Sequence, residues 1–165
     1  MAAEQIKYIF SDIDGVLTDG TVSISVDGQE QKRICYRDLD AVGIGRNGGL
    51  EFAFITGEDT ELARRIAERF NISRVIYGAK DKGAAVKAMM EEMRISAGEI
   101  CYVGDSLRDI PAIELAGLGA APSDAPASVR RCADIVTGAS GGHGVLLELV
   151  EMILSRNEGK GEVTA

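Results

Sequence analysis

The sequence predicts an α/β protein, a parallel sheet with helices on both faces. Short apolar runs at 6–10, 50–55, 74–77 and 100–103 alternate with stretches of helical spacing. Those runs stop at glycine-bearing turns: Asp14-Gly15, Thr56-Gly57, Gly78 and Gly104-Asp105. The 165 residues, 45% hydrophobic and 27% charged, have the composition of an ordinary globular chain and suffice for a sizeable core.

The first strand, 6–10, runs into Asp12 and Asp14, two carboxylates followed by Gly15. An apolar strand that ends in charge is costly unless the charges are solvated or bind something. The carboxyl edge of an α/β sheet is where ligands bind, and oxygen ligands there suit a hard cation such as Mg²⁺ and a phosphate. Taken alone, the pair is weak evidence, since most acidic pairs near a strand end are just a solvated turn.

From Thr21 the pattern alternates. Val22, Ile24 and Val26 share a face, Asp27-Gly28 supplies a tight turn and 29–36 returns, so 21–36 reads as a β-hairpin. With Ile34, its apolar surface exceeds what an isolated ribbon needs, and packing on another subunit would account for it. A helix from about Leu39 stops at Gly48-Gly49. The strand 50–55 ends at Thr56-Gly57-Glu58, and helix 60–70 sets Leu62, Ile66 and Phe70 on one stripe. After the strand 74–77, helix 82–94 carries Val86, Met89, Met90 and Met93, a core-filling stripe. A strand at 100–103, a helix at 107–116, strands at 118–121 and 135–136, a glycine-rich loop at 140–144 and a helix to about Ser155 complete the order. The polar residues 157–165 read as a disordered tail, which leaves 1–156 as a single domain.

A formal net charge of −8 argues against nucleic acid or an anionic membrane as partner. Cys35, Cys101 and Cys132 are odd in number and form no C-x-x-C, so they read as buried small hydrophobes in a reducing compartment. The short N-terminal segment, with Glu4 and Lys7, does not read as a signal peptide, and no apolar run approaches a membrane span. A cytoplasmic protein is expected.

Right-handed crossovers bring the strand ends to one edge of the sheet. Asp12, Asp14, Thr56 and Asp105 then converge, and Lys82 joins them from the loop that opens a helix. Thr56 alone would pass for a helix N-cap and Lys82 for a surface lysine. Two acids, a hydroxyl, a lysine and a further acid in this order are not expected of chance turns.

Asp12-Ile13-Asp14-Gly15, Thr56-Gly57, Lys82 and Gly104-Asp105 resemble the four motifs of the haloacid dehalogenase-like phosphatases. Over nearly the whole chain, Asp14-Gly15-Val16-Leu17-Thr18-Asp19-Gly20, Ile55-Thr56-Gly57-Glu58 and Gly141-Gly142-His143-Gly144 are similar to the 3-deoxy-octulosonate 8-phosphate phosphatase family. The resemblance implies a three-layer Rossmann-like sheet with a hairpin flap after the first strand and no cap domain. It implies a Mg²⁺-dependent phosphomonoesterase with Asp12 as nucleophile and Asp14 as general acid and base. Thr56 and the Gly57 N–H would hold phosphate oxygens, and Lys82 would neutralise both phosphate and Asp12. The Mg²⁺ would sit between Asp12, the Asp14 carbonyl and Asp105, with Asp109 positioning Lys82 or a metal-bound water. The segments 19–56 and 58–82 leave no room for a cap, so a lone subunit's site would stand open to water. The resemblance implies a homotetramer whose hairpins and glycine-rich loops line neighbouring sites, serving lipopolysaccharide or surface-polysaccharide biosynthesis.

The implied substrate is a small 2-keto-3-deoxy sugar acid phosphate, either 3-deoxy-D-manno-octulosonate 8-phosphate or a nine-carbon analogue such as KDN 9-phosphate. Octulosonate phosphatases usually carry arginine where this chain has Glu58, a departure that resembles the nine-carbon branch. Glu58 can accept hydrogen bonds from hydroxyls, and Arg69 on the same helix would supply the missing cation. Glu58 reads equally as a charge favoured at a helix N-terminus. Ser106 replaces an aspartate common in the family, and His143, the only histidine, reads more readily as incidental than as substrate-binding. Two other readings are a catalytically degenerate oligomerisation domain, as in domains fused to sialate cytidylyltransferases, and a phosphoacceptor receiver domain. The intact site set counts against the first. Lys82 preceding Gly104-Asp105 counts against the second.

Overall fold

The computed structural model describes residues 4–159. The chain runs β1 (Tyr8–Ser11), β2 (Ser23–Ile24), β3 (Glu30–Gln31), α1 (Tyr36–Asn47), β4 (Glu51–Ile55), α2 (Glu61–Arg69), β5 (Val75–Ile76) and α3 (Lys82–Met93). There follow β6 (Ile100–Val103), α4 (Ile110–Leu115), β7 (Leu118–Ala121), α5 (Ala127–Cys132), β8 (Ile135–Val136) and α6 (Val145–Asn157). The main sheet has the order β5-β4-β1-β6-β7-β8 with every pair parallel.

Alternation along the strands sends side chains to two cores. Ile9, Phe52, Phe54, Cys101 and Val103 pack on one face with residues of α1, α2 and α6. Phe10, Ala53, Ile55, Ile100 and Tyr102 pack on the other with residues of α3, α4 and α5. A sheet buried on both faces needs such near-continuous apolar strands, and the result is the expected three-layer α/β arrangement.

Register positions the site. Ser11, the last residue of β1, pairs with Phe54 on one side and Val103 on the other. Asp12, Thr56 and Asp105 therefore leave the sheet within two residues of a common level, where the strand order changes direction. Asp81 caps α3 by accepting from the Ala84 N–H at 2.9 Å, which makes Lys82 the first helical residue. The N-terminus of α6 has no cap of its own. The carboxylate of Asp38 in α1 accepts from Gly144 N (3.2 Å) and Leu146 N (2.8 Å), so one buried acid joins α1, the glycine-rich loop and α6.

Several expectations change. The hairpin is shorter than 21–36: β2 and β3 have two residues each, and α1 begins at Tyr36, three residues before the expected start. Ser25, Asp27 and Gln29 hold the turn, while Val22, Ile24 and Val26 are exposed. The expected helix 107–116 is a 3-10 turn, Leu107–Asp109, followed by α4, with Pro111 in its first turn, where a missing N–H costs nothing. Helix α5 was not anticipated. Helix α6 continues past Ser155 because the Asn157 side chain donates to Ile6 O at 2.7 Å and ties the helix end to the start of the sheet. Of the expected tail, residues 160–165 lie outside the described residues. All three cysteines are free, but only Cys101 is buried; Cys35 and Cys132 are partly exposed. Among the described residues no helix is long and apolar enough to cross a membrane.

Candidate active site

A cavity of about 440 Å³ opens at the carboxyl edge of the sheet. Its walls include Asp12, Asp14, Thr56, Gly57, Glu58, Lys82 and Asp105, together with Lys32, Ser106 and Arg108.

Lys82 organises the floor. Its ammonium donates to Ile55 O at 2.9 Å and to Asp109 at 3.1 Å, and it lies 3.1 Å from Asp12. The side chain is 3% exposed. A buried ammonium is tolerable only when its three donors are met, and here two are met by carboxylates. Asp109, wholly buried, accepts from Tyr102 Oη at 2.6 Å, from Ser106 Oγ at 2.9 Å and from the Asp105 and Ser106 N–H groups. Burial alone would raise its pKa. Lys82, Tyr102 and the Ser106 donors outweigh burial and hold it below the usual carboxylate range.

Asp12 is held by its N–H to Val103 O and by its own carboxylate accepting from Ile13 N at 2.7 Å. Burial, then repulsion from Asp109, pushes its pKa up to about 8 against the pull of Lys82. Burial and Asp109 likewise push Asp105 up to about 6. Asp12, Asp105 and Asp109 each place a carboxylate oxygen within 4.8 Å of the others. Three crowded carboxylates, two of them with raised pKa values, make a setting that a divalent cation would relieve. Asp109 already accepts from donors at both oxygens, so Asp12 and Asp105 are the carboxylates able to take a metal. The all-oxygen donor set fits a hard cation. A Cβ on Gly15 would come 1.8 Å from Asp105 Oδ2, so only glycine lets the loop after β1 approach that carboxylate.

Asp14 stands at the entrance. It accepts from Thr18 Oγ1 at 3.2 Å and pairs with Lys32 at 2.9 Å. The Lys32 ammonium also lies 2.9 Å from Glu58, and its side chain is only 5% exposed. The sequence reading missed Lys32. Its signal was parity: in an alternating ribbon it shares a face with Ile34, an odd place for a free surface lysine. Thr56 is buried, and its hydroxyl accepts from Glu58 N at 3.2 Å.

Not every expected residue arrives. Arg69 sits in the last turn of α2, with its guanidinium 5.9 Å from the centre of the Tyr36 ring, and is not on the cavity wall. The eight helical steps from Glu61 carry it about 12 Å along the helix from that first residue. It is not beside Glu58 within one chain. Glu58 in turn lies outside α2, whose cap is Thr60 and whose first-turn acid is Glu61, so a helix-terminus role does not account for it. His143 is exposed, with Nδ1 2.8 Å from Gly141 O, and does not line the cavity. The loop that carries it packs beneath the site: Gly142 N donates to Val16 O at 2.8 Å, and a Cβ on Gly141 would come 2.1 Å from Gly15 O.

The doubly covered parallel sheet, with acids, a threonine and a buried lysine at its carboxyl edge, defines the class: a haloacid dehalogenase-like phosphomonoesterase. The model of haloacid dehalogenase-like hydrolases matches residues 72–149. A 3-deoxy-D-manno-octulosonate 8-phosphate phosphatase, KdsC, of Haemophilus influenzae is 31% identical over 160 residues, covering 97% of this chain and 88% of that protein. The KdsC protein of Escherichia coli K12 is 32% identical over 152 residues, covering 92% and 81%. Among solved structures, the Moraxella catarrhalis 3-deoxy-D-manno-octulosonate 8-phosphate phosphatase, in complex with magnesium ion, phosphate ion and KDO, superposes with a TM-score of 0.89 at 30% identity, covering 95% of this chain and 90% of that one. The chain belongs to the KdsC family of 3-deoxy-D-manno-octulosonate 8-phosphate phosphatases.

Proposed function

We propose that the chain releases the terminal phosphate of a 2-keto-3-deoxy sugar acid phosphate, with 3-deoxy-D-manno-octulosonate 8-phosphate as the leading substrate. The names of its relatives support the eight-carbon acid. The observation that carries the mechanism is the buried Lys82 ammonium, 3.1 Å from both Asp12 and Asp109.

Asp12 attacks phosphorus and forms an acyl phosphate while the sugar oxygen leaves with a proton from Asp14. Asp14 then takes a proton from the water that attacks the same phosphorus, which frees Asp12 and inorganic phosphate. Lys82 offsets the charge gathered on Asp12 and the phosphate. The Thr56 hydroxyl and the Gly57 N–H hold the non-bridging oxygens. Asp109 keeps Lys82 aimed at Asp12. Asp12, Asp105 and the Asp14 carbonyl would hold Mg²⁺, which when bound offsets the repulsion between carboxylate and phosphate dianion.

Residues 1–156 act as one phosphatase domain in the cytoplasm, and the active form is a homotetramer. The exposed Val22, Ile24 and Val26 of the hairpin, together with an open cavity, support that assembly. Sedimentation velocity should find a species of four chains. A second reading, the nine-carbon acid phosphate, is favoured by Glu58, whose carboxylate on the cavity wall can accept hydrogen bonds from hydroxyls.

Phosphate release from eight- and nine-carbon acid phosphates, with Mg²⁺ or a chelator, tests the reading. Turnover of the eight-carbon acid that stops with chelator is expected, and metal-independent turnover would contradict it. If Glu58→Arg leaves the eight-to-nine-carbon preference where it was, the specificity argument from Glu58 is lost.

A further inference from the structure

Thr18 is wholly buried beside Asp14, yet no step of the proposed reaction uses it. Its hydroxyl has three partners at 3.2 Å: Gly15 N, Gly20 N and Asp14 Oδ1. A threonine hydroxyl has two lone pairs and one proton. The two N–H groups can only donate, so they occupy the lone pairs and the proton goes to Asp14. The direction of that bond is set by the loop and not by the carboxylate. Gly15 and Gly20 both have left-handed backbone, φ +80° and +78°, which lets the loop close around the hydroxyl.

The loop is also held from outside. Thr18 N donates to Ile13 O at 3.3 Å, and Gly142 N donates to Val16 O at 2.8 Å. A Cβ on Gly141 would come 2.9 Å from Thr18 O, and one on Gly142 would come 2.8 Å from the Thr18 carbonyl carbon. The glycine-rich loop is thus seated on the backbone of Thr18. Lys32, which also donates to Asp14, comes instead from the hairpin of two-residue strands.

The structure assigns Thr18 as the positioning residue for Asp14: its hydroxyl anchors Oδ1 and so orients the carboxyl that protonates the departing sugar oxygen. As the P–O bond breaks, its electron pair stays on that oxygen, which takes the Asp14 proton. Such a transfer helps only if the acid lies within hydrogen-bond reach when the bond breaks. This role rests on the reading of Asp14 as general acid and adds the group that aims it.

The test compares two substrates that differ in their need for that proton. The sugar of 3-deoxy-D-manno-octulosonate 8-phosphate would leave as an alkoxide without it, whereas the phenolate of 4-nitrophenyl phosphate leaves unaided. kcat/KM is measured on both, with Mg²⁺, for wild type, Thr18→Val, Thr18→Ser and Asp14→Asn. Thr18→Val should lower the sugar-to-aryl ratio of kcat/KM about tenfold, and Asp14→Asn about a hundredfold or more. Thr18→Ser keeps the hydroxyl and should hold the ratio within about threefold of wild type. Both constants scale with the fraction of folded enzyme, so the ratio reads the site even where a variant is less stable. Thr18→Ala, which leaves space for a water against the two N–H groups, gives the same reading if Thr18→Val does not fold. A purely structural role would depress both substrates alike. An unchanged ratio in Thr18→Val beside a collapsed one in Asp14→Asn would therefore mean that only Thr18 is wrong. A ratio lost as fully in Thr18→Ser would implicate the methyl group and also overturn the role of the hydroxyl. If Asp14→Asn itself leaves the ratio in place, the general-acid reading of Asp14 falls, and the role of Thr18 with it.

Discussion

On the floor of the cavity Lys82 is 3% exposed and gives every ammonium donor to a protein oxygen, whereas at the rim Arg108 is exposed and pairs with nothing among the described residues. The floor is assembled from the ends of β1, β4 and β6 and the start of α3, elements locked by the sheet register. The rim is assembled from a hairpin of two-residue strands and a 3-10 turn, with Lys32 clasping Asp14 and Glu58. Chemistry common to a family belongs on the rigid part. Substrate choice belongs where side chains can change without disturbing the core.

Breaking the floor should cost most. Asp12→Asn should lower kcat at least about a thousandfold, as expected for loss of a nucleophile. Steady-state phosphate release measures it, and activity within tenfold of wild type would remove Asp12 from that role. Lys82→Met should also cripple turnover, and because it leaves Asp109 and Asp12 buried without their cation it should destabilise the fold by about 3 kcal/mol. Urea unfolding would show the loss. An unchanged midpoint would mean that the floor does not depend on this ammonium.

A smaller effect follows from the raised pKa values of Asp12, about 8, and Asp105, about 6. A carboxyl whose pKa is higher folded than unfolded contributes stability that is complete below the unfolded value and lost as pH rises through the folded one. Metal-free protein should therefore lose Tm between about pH 4 and 8, and Asp12→Asn should flatten the upper part of that fall. Added Mg²⁺ should raise Tm more at pH 8 than at pH 6, because it binds the ionised carboxylates. Calorimetry across that range checks both. A Mg²⁺ increment that shrinks as pH rises would contradict the site.

The rim should respond least. Lys32→Met and Glu58→Gln should each change stability by under about 1 kcal/mol, since Glu58 is 45% exposed and partly exposed pairs contribute little. Their effect should appear in KM and in substrate preference. A large loss of kcat in Glu58→Gln, with KM unmoved, would make the rim part of the chemistry and erase the contrast.

The same contrast explains what the sequence made legible. Asp12, Asp14, Thr56 and Asp105 were readable because each follows an apolar strand directly, and Lys82 because Asp81 marks a helix start one residue before it. Their convergence needed only parallel strands and right-handed crossovers. Lys32 was not readable: its bonds to Asp14 and Glu58 span 18 and 26 residues and depend on how the hairpin folds back. Arg69 lies in the last turn of α2, and one chain does not bring it to the cavity wall. Short elements also failed, since the two-residue strands β2 and β3 and the six-residue α5 carry too little periodicity to read.

The central claim is covalent attack by Asp12. Acid quenching during turnover of the sugar acid phosphate with Mg²⁺, followed by borohydride reduction and peptide mass spectrometry, tests it most directly. An acyl phosphate at position 12 is reduced to homoserine, so the account predicts homoserine in place of Asp12 in wild type and no reduced residue in Asp12→Asn. Homoserine at position 14 or 105, or none anywhere under conditions of full turnover, would contradict it.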